Sequence, residues 1–397
     1  MHAFVRLVTF LICGASLGFA GVPPGQVQVA AYYFPGWQRP AGDTNRTFAE
    51  WRNIETAIPR FPGHEQPKRP VWGYADEADP AVMAKKIDVA ADHGLNAFIF
   101  CWYYHAQGPF IERALNEGYL HATNRARLPF ALMWANHDLA PPWRIGAVTP
   151  QVFDQMTDLI LRDYFIRPEY WRVDGKCYFS IYEVKTFIQG MGGIEPARVA
   201  LQTFRQKAEA SGCGGIHLNL IDWQLAQDPD AMRILRELGG DSLSSYVWVH
   251  HVPLKKFPAK NYNVLREEYF SGWDKKWAKS PVSHFPNVTM GWDATPRMKP
   301  EQPYMNSGYP DMSVLTNNTP AEFRKALAAA RQRALTLPAG KQVVTVYAWN
   351  EWGEGGYLEP EARTGYAYLQ AIKEVFAATA TAPNRRLSRI GQGMDAQ

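Results

Sequence analysis

Two hydrophobic patterns alternate along the chain. Short runs of β-branched and aromatic residues predict buried strands, and longer runs with apolar positions at helical spacing predict amphipathic helices. The strands are predicted near Val27–Phe34, Ala97–Tyr104, Phe130–Ala135, Tyr178–Glu183, Ile216–Asp222, Ser242–Val247, Val288–Trp292 and Val343–Trp349. The helices are predicted near Asp79–Gly94, Phe110–Leu120, Pro150–Tyr164, Pro196–Ala210, Pro229–Leu238, Val264–Ala278, Pro320–Leu335 and Tyr366–Ala378.

The alternation indicates parallel βα units, so we predict an α/β fold in which residues 27–378 form a single (β/α)8 TIM barrel. An open, doubly wound sheet is the alternative. Such a sheet usually has a glycine-rich phosphate-binding turn after its first strand, whereas this chain has Phe34-Pro35-Gly36-Trp37 there. The long segments 38–78 and 279–310 have the size of active-site walls.

The two ends of the chain differ from the body. Residues Met1–Arg6 are basic, Leu7–Phe19 are apolar, and small residues stand before a cleavage point after Ala20. This pattern predicts a signal peptide over residues 1–20 and a secreted or periplasmic protein, with no membrane insertion after cleavage because the apolar run is short. Residues 379–397 lack apolar periodicity and are predicted to be a disordered tail.

Composition narrows the function classes. Hydrophobic residues make up 46% and charged residues 20% of the 397 residues, which is typical of a soluble globular protein. The net charge is +4 with scattered basic residues, so we expect no nucleic-acid partner. The body has Cys101, Cys177 and Cys213, which allow at most one disulfide and are more simply interpreted as buried thiols. No HxH, HExxH or CxxC spacing indicates a metal, and we predict no cofactor.

Nearly every predicted strand ends in an aromatic residue beside a polar one. In a barrel these ends meet at the active-site face. Aromatic faces stack on sugars and polar groups bind their hydroxyls, so we predict a carbohydrate cleft for an oligosaccharide or polysaccharide. Each residue also has a structural alternative, either core packing or an ion pair. The candidate substrate-binding residues are Tyr33, Trp37, Trp102, Tyr104, Trp134, Asn136, His137, Glu183, Tyr246, Trp292 and Asn350.

The last predicted strand leads into Trp349-Asn350-Glu351-Trp352-Gly353-Glu354-Gly355. A buried carboxylate costs several kcal/mol unless it is paired or takes part in chemistry. Two carboxylates in an aromatic site suffice for acid/base cleavage of a glycosidic bond. We therefore predict Glu351 and Glu354 as catalytic residues, with helix capping or pairing to an arginine as the structural alternative.

Several motifs carry a resemblance to a known group of proteins. They are Tyr32-Tyr33-Phe34-Pro35-Gly36-Trp37, Pro62-Gly63-His64-Glu65-Gln66-Pro67, Phe98-Ile99-Phe100-Cys101-Trp102-Tyr103, Leu132-Met133-Trp134-Ala135-Asn136 and Ala348-Trp349-Asn350-Glu351-Trp352-Gly353-Glu354-Gly355. Together they resemble the glycoside hydrolase family 99 and WbsX-like group, which implies an endo-α-mannosidase-like barrel.

The resemblance also implies a mechanism. Glu351 would deprotonate or polarise the substrate 2-hydroxyl, which displaces the leaving group through a 1,2-anhydro-sugar. Glu354 would protonate the leaving oxygen and then activate water, with net retention. Two positions depart from the mannosidases: Gly353 stands where they usually have His, and Tyr347 where they have an acidic residue. These departures bear on mannose specificity more than on the chemistry of the two glutamates.

The sequence thus favours a secreted, retaining glycoside hydrolase. A WbsX-type glycosyltransferase and a non-catalytic carbohydrate-binding barrel are the alternatives. The sugar, its linkage and the oligomeric state stay open at this stage.

Overall fold

The computed structural model describes residues 26–39, 49–137 and 148–377. The predicted signal peptide and the predicted tail lie outside these ranges. Nine parallel strands make up the main sheet. They are β1 (Gln28–Tyr33), β2 (Ala97–His105), β3 (Phe130–Trp134), β4 (Lys176–Ile181), β5 (Ile216–Ile221), β6 (Ser242–Ser244), β7 (Ser283–Phe285), β8 (Asn287–Thr289) and β9 (Val343–Tyr347).

The sheet curls into a nearly closed barrel. Its hydrogen-bonded order is β7-β6-β5-β4-β3-β2-β1-β9-β8. The two edge strands, β7 and β8, are therefore consecutive pieces of one segment, residues 283–289. Pro286 separates these two pieces because it has no N–H for the ladder, while its carbonyl accepts a hydrogen bond from Thr345 N at 3.0 Å. The predicted TIM barrel is confirmed. The prediction of one strand at 288–292 was wrong, because β-structure spans 283–289 on both sides of this proline.

Helices lie between the strands. Their bounds are α1 (Ala49–Glu55), α2 (Pro80–Asp92), α3 (Pro150–Ile160), α4 (Val184–Gly190), α5 (Ile194–Ala210), α6 (Ala231–Leu238), α7 (Tyr262–Trp277), α8 (Pro320–Ala334) and α9 (Ala367–Phe376). Asp79 caps α2, as predicted, by accepting a hydrogen bond from Ala81 N at 2.8 Å. The helix predicted at 110–120 is instead a π-turn at Ala114–Gly118 and a 3-10 turn at Tyr119–His121. Phe110, the first residue of the predicted helix, belongs instead to a short strand that pairs with β2 in a hairpin.

Side chains of each strand alternate between the barrel interior and the helix layer. In β1, the Tyr32 hydroxyl lies 3.1 Å from the Ser244 hydroxyl across the barrel. The next residue, Tyr33, points the other way, and its hydroxyl contacts Met83 of α2. This period of two decides which aromatic residues can reach the active-site face.

Three further findings concern residues with a sequence-based expectation. Cys101, Cys177 and Cys213 are buried free thiols. Among the described residues, no helix combines the length and apolar character needed to cross a bilayer. The same ranges contain no group of three His, Cys, Asp or Glu side chains arranged to hold a metal ion.

Candidate active site

A cavity of about 670 Å³ opens at the C-terminal ends of the barrel strands. This volume is in the range of small-molecule and oligosaccharide sites. Its lining combines carboxylates, one guanidinium and aromatic rings. The lining residues are Phe34, Glu50, Asn53, Cys101, Tyr103, Met133, Ala135, His137, Tyr182, Glu183, Trp223, Tyr246, Val249, His250, Trp292, Arg297, Tyr309, Pro310, Met312, Glu351 and Glu354.

A tight turn after β9 carries Glu351 and Glu354 to the cavity floor. Asn350–Glu351 pairs with Gly356–Tyr357, and Trp352–Glu354 forms one 3-10 turn between them. Gly355 has a φ of +69°, and a Cβ there would lie 2.7 Å from Asp293 N. The glycine lets the chain turn back so closely that both glutamates face the cavity.

Arg297 joins the two glutamates. Its Nη2 donates to Glu351 Oε1 at 2.9 Å, and its Nε lies 3.7 Å from Glu354 Oε1. Its Nη1 lies 3.7 Å from Glu50 Oε2. A Cβ on Gly353 would lie 3.0 Å from the guanidinium carbon. Arg297 therefore fills the space next to position 353, where the resemblance implied a histidine.

Two phenols hold the second glutamate. The Tyr309 hydroxyl donates to Glu354 Oε1 and the Tyr347 hydroxyl donates to Oε2, each at 2.7 Å. Burial, and then the charge of Glu354, raises the pKa of Tyr347 well above its usual value. The phenol is thus a neutral donor across the physiological range. Tyr347 replaces the acidic residue that the resemblance implied on this strand, and its role is to bond a carboxylate.

Glu351 has an unusual electrostatic environment. Its residue exposure is 3%. Burial raises the pKa of Glu351 well above its usual range, the charge of Glu354 adds to this shift, and Arg297 offsets part of it. A carboxylate with a raised pKa is a stronger base once it is ionised, and such pKa shifts cluster at functional sites.

An aromatic and imidazole wall faces the glutamates. Tyr246 contacts Tyr182 and Tyr347 edge-on, with ring centroids 5.3 and 5.0 Å apart. Burial lowers the pKa of His137 to about 4 and that of His250 to about 3, so both rings are neutral at pH 7.

Four nitrogens of residues that line the cavity are unpaired within the described part of the chain. They are buried and have no hydrogen-bond partner among the described residues, and buried polar groups generally need one. The atoms are His137 Nε2, His250 Nδ1, Trp223 Nε1 and Trp292 Nε1.

The structure brings together six of the predicted site residues at this cavity. They come from five strand ends, because Glu351 and Glu354 share the turn after β9. They are His137, Glu183, Tyr246, Trp292, Glu351 and Glu354. Glu183 accepts a hydrogen bond from the Thr186 hydroxyl, and its backbone is held by Asn136, whose Oδ1 accepts from Glu183 N at 2.7 Å.

Three predicted aromatic residues face the helix layer instead of the cavity. Tyr33 stacks on Phe100 with ring centroids 4.5 Å apart, and Trp134 packs on Phe153 of α3 at 5.8 Å. Trp102 shares their side of the sheet. Adjacent residues on a strand point to opposite faces, so these rings pack in the core and lie outside the cavity lining.

The remaining four predicted residues lie near the cavity but outside its lining. Trp37 donates to Asn350 O at 2.6 Å, and Asn350 itself bonds the backbone of Phe34. The Asn136 side chain is hydrogen-bonded to the backbone of Glu183, and the Tyr104 ring stacks on Trp102 with ring centroids 5.3 Å apart. The polar groups of Trp37, Asn136 and Asn350 are occupied by the protein, and the Tyr104 ring packs on a core tryptophan, so these residues support the site rather than line it.

Sequence reasoning missed Arg297, Tyr309 and Glu50. All three come from the long segments that the sequence marked as possible walls. Arg297 ends a 3-10 turn at Thr295–Arg297, and nothing in its local pattern distinguishes it from a surface arginine.

Two further carboxylates that end strands are structural. Asp222 is fully buried and lies 3.1 Å from His251 and 3.2 Å from His284. Asp293 Oδ2 accepts from His64 and Gln66 at 2.8 and 2.7 Å. Asp293 N also donates to Glu354 O at 2.7 Å, which ties the insertion to the glutamate turn.

Comparison with known proteins agrees with this architecture. Residues 29–372 match the family described as "Glycosyltransferase WbsX". Two relatives named "Uncharacterized protein WxcX", from two strains of Xanthomonas campestris pv. campestris, are 29% identical over 369 residues. The match covers 87% of this chain and 49% of each relative, so the chain spans about half the length of the curated relatives it matches.

Solved structures share the barrel. The GH99 endo-α-mannosidase from Bacteroides thetaiotaomicron in complex with bis-tris-propane superposes with a TM-score of 0.57 at 13% identity, covering 88% of this chain and 95% of that one. A "glycoside hydrolase-like protein" gives a TM-score of 0.57 at 15% identity, with 88% and 94% covered. Identities this low show the fold alone. The family match spans nearly the whole barrel, and the chain therefore belongs to the WbsX family.

Proposed function

We propose that this protein is a glycoside hydrolase that cleaves a glycan with retention, using Glu351 and Glu354. The observation that carries the proposal is the convergence of both carboxylates on one guanidinium at the floor of an aromatic cavity. Contact with a single guanidinium keeps the two carboxyl groups within the roughly 10 Å limit that two-carboxylate glycosidases use.

The environments of the two glutamates support different roles. Glu351 is the more buried of the two, with a side-chain exposure of 4% against 16% for Glu354, and it takes the role of base that the family resemblance implies. In the first step Glu351 takes the proton of the substrate 2-hydroxyl, and O2 attacks the anomeric carbon. The bond from that carbon to the leaving oxygen breaks, and Glu354, protonated in the reactive complex, donates its proton to this oxygen.

The second step reverses these transfers. Glu354 takes a proton from water, and the water oxygen attacks the anomeric carbon of the 1,2-anhydro-sugar. The bond between O2 and that carbon breaks, and O2 regains its proton from Glu351. Two inversions give net retention. Tyr309 is 55% exposed, so a leaving oxygen can replace its hydroxyl at Glu354 Oε1.

A glycosyltransferase is the second candidate, because the family description names that activity. The described cavity lining weighs against it. Within that lining Arg297 is the one Lys or Arg side chain, and it is already bound to carboxylates. A nucleotide diphosphate would therefore meet glutamates in place of basic groups. We also propose that the protein acts outside the cytosol, on the basis of the apolar segment Leu7–Phe19.

Activity on defined glycans tests the proposal. The purified protein is incubated with α-mannan and a panel of other polysaccharides, and reducing ends are measured. We expect release by the wild type and losses of about 100- to 10,000-fold in Glu351→Gln and Glu354→Gln. Glu195→Gln, which removes an exposed carboxylate on α5, is the control and keeps full activity.

Two results would contradict the proposal. Transfer that requires a nucleotide-sugar donor indicates the glycosyltransferase, and glycan binding without turnover indicates a carbohydrate-binding barrel. Proton NMR of the first product distinguishes retention from inversion at the anomeric carbon.

A further inference from the structure

Three ionisable side chains are buried behind the glutamate turn. Glu77 is 0% exposed, Lys86 on α2 is 2% exposed and Glu359 is 5% exposed. The Lys86 ammonium contacts Oε1 of both glutamates. Taking these charges out of water costs several kcal/mol per ion, and apolar side chains of similar volume often stabilise a fold equally well. Stability alone is therefore a weak reason for such a cluster.

Two further hydrogen bonds of this cluster come from the catalytic turn. Asn350 Nδ2 donates to Glu77 Oε1 at 3.0 Å, and Trp352 Nε1 donates to Glu359 Oε2 at 2.7 Å. These two residues stand on either side of Glu351. The cluster thus holds the residue before and the residue after the proposed base, each through a different carboxylate.

The first of these attachments also reaches β1. Asn350 Oδ1 accepts from Phe34 N at 2.7 Å, and its Nδ2 donates to Phe34 O at 2.8 Å. Glu77 Oε1 accepts from the same amide nitrogen, which fixes the orientation of the Asn350 side chain. On the other side, the Trp352 ring stacks on Tyr357 at 3.8 Å, and the bond to Glu359 fixes the direction of the indole N–H.

We propose that Glu77, Lys86 and Glu359 are positioning residues that hold the backbone of Glu351 at the cavity floor. This inference rests on the proposed function. None of the three lines the cavity, so they act through Asn350 and Trp352 and not by touching substrate. A displacement of about 1 Å in a reacting group can cost about 100-fold in rate, so this support contributes directly to turnover.

Matched substitutions at one position test the proposal. Glu77→Leu removes the acceptor for Asn350, and we expect kcat to fall about 10- to 100-fold with KM within about twofold of wild type. Glu77→Gln keeps an acceptor oxygen of the same length, and we expect it to restore kcat to within about threefold. A merely structural role would lower stability in both variants without this split in kcat.

The control removes a buried carboxylate at the other end of the barrel. Glu169 is 4% exposed and pairs with Arg125 at 2.7 Å, and its carbonyl accepts from the first residue of β3. Glu169→Leu is expected to lower stability and leave kcat unchanged. An equal fall of kcat in Glu169→Leu, or a wild-type kcat in Glu77→Leu, overturns the proposal.

A second variant covers the case in which Glu77→Leu does not fold. Trp352→Phe removes the bond to Glu359 and keeps an aromatic ring, and we expect a kcat about 3- to 10-fold lower. An unchanged kcat in this variant also contradicts the proposal.

A crystal structure separates this inference from the proposed function. If the wild type cleaves no glycan, the proposed function fails, but the positioning role is still tested by the contact between Glu351 Oε1 and Arg297 Nη2, 2.9 Å long here. We expect this contact to be lost in crystals of Glu77→Leu or of Trp352→Phe. An unchanged contact in either variant overturns the inference.

Discussion

Two pairs of glutamates lie back to back at the end of the barrel, each gathered around one cation. The members are Glu351 and Glu354 with Arg297 in the front pair, and Glu77 and Glu359 with Lys86 in the back pair. In the front pair the Arg297 and Glu354 side chains are 17% and 16% exposed and that of Glu351 is 4% exposed, whereas every side chain of the back pair is at most 4% exposed. Arg297 also lies 3.7 Å from Glu50, and only the front pair lines the cavity.

The cations suit this difference. The planar guanidinium of Arg297 reaches both front carboxylates with separate nitrogens and leaves oxygens facing the cavity. The compact ammonium of Lys86 sits between the back carboxylates, and the same two carboxylates accept hydrogen bonds from the catalytic turn. Glu351 and Glu354 line the cavity and can react with a ligand, whereas Glu77 and Glu359 lie outside the lining and can only support them.

Replacing each cation should give the largest difference in stability between the two pairs. We expect Lys86→Met to lower the free energy of unfolding by about 3–5 kcal/mol, because it leaves uncompensated charge in the core. Arg297→Met should lower it by about 1–2 kcal/mol, since cavity water can solvate the front carboxylates. Chemical denaturation of both variants measures the difference. Equal losses would show that the front pair is as isolated from water as the back pair.

Glu77 of the back pair should contribute to the pH dependence of stability, as should Glu351 of the front pair, whose pKa is also raised. Burial raises the pKa of Glu77 to about 7 from its ordinary value of 4.5, Lys86 opposes this shift, and the charge of Glu359 adds to it. The folded protein therefore binds a proton that the unfolded chain releases. Stability is greatest below about 4.5 and falls as pH rises to about 7.

The size of this effect follows from the shift. Glu77 accounts for a loss of about 3 kcal/mol across that interval, and Glu77→Gln should remove this part of the slope. The groups facing Glu77 are Lys86 from α2, Glu359 and Tyr33 from β1. Unfolding free energies of the two proteins at pH 5 and pH 7.5 measure it, and parallel slopes would assign the pH dependence to other groups.

The smallest expected effect comes from crowding Arg297, the cation of the front pair, at its contact with Gly353. In Gly353→Ala the new Cβ would lie 3.0 Å from the Arg297 guanidinium carbon, so the guanidinium must shift by a few tenths of an ångström. We expect kcat/KM about 3- to 10-fold lower. Gly272→Ala on α7, where a Cβ has open space, is the control and keeps activity. Unchanged kinetics for Gly353→Ala would mean that the arginine position is not critical.

Much of the fold was predictable from local pattern. Apolar runs such as those of β2 and β9 identify buried strands, and Asp79 with Pro80 marks the start of α2. The interrupted strand at Pro286 was not predictable, because three-residue strands such as β7 and β8 are too short to show a period. β7 pairs with β6 and β8 pairs with β9, so these two short pieces form the two edges of the sheet.

The candidate site was predictable in part. The two glutamates follow a strongly apolar strand, where a buried carboxylate is costly and therefore points to a specific role. Trp102 and Trp134 have the same strand-end position as His137 but face the helices, because the direction of each side chain depends on where each strand ends relative to its neighbours. A shift of one residue reverses the face.

The sequence by itself determined the barrel and the location of both glutamates at its active-site end, since hydrophobic periodicity and chain order are local properties. Only the tertiary structure decided which strand-end residues line the cavity. It also decided which cation joins each pair of glutamates, because Arg297 is 54 residues from Glu351 and Glu77 is 273 residues from Asn350. Contacts over such separations depend on how distant segments pack together, and no local pattern encodes them.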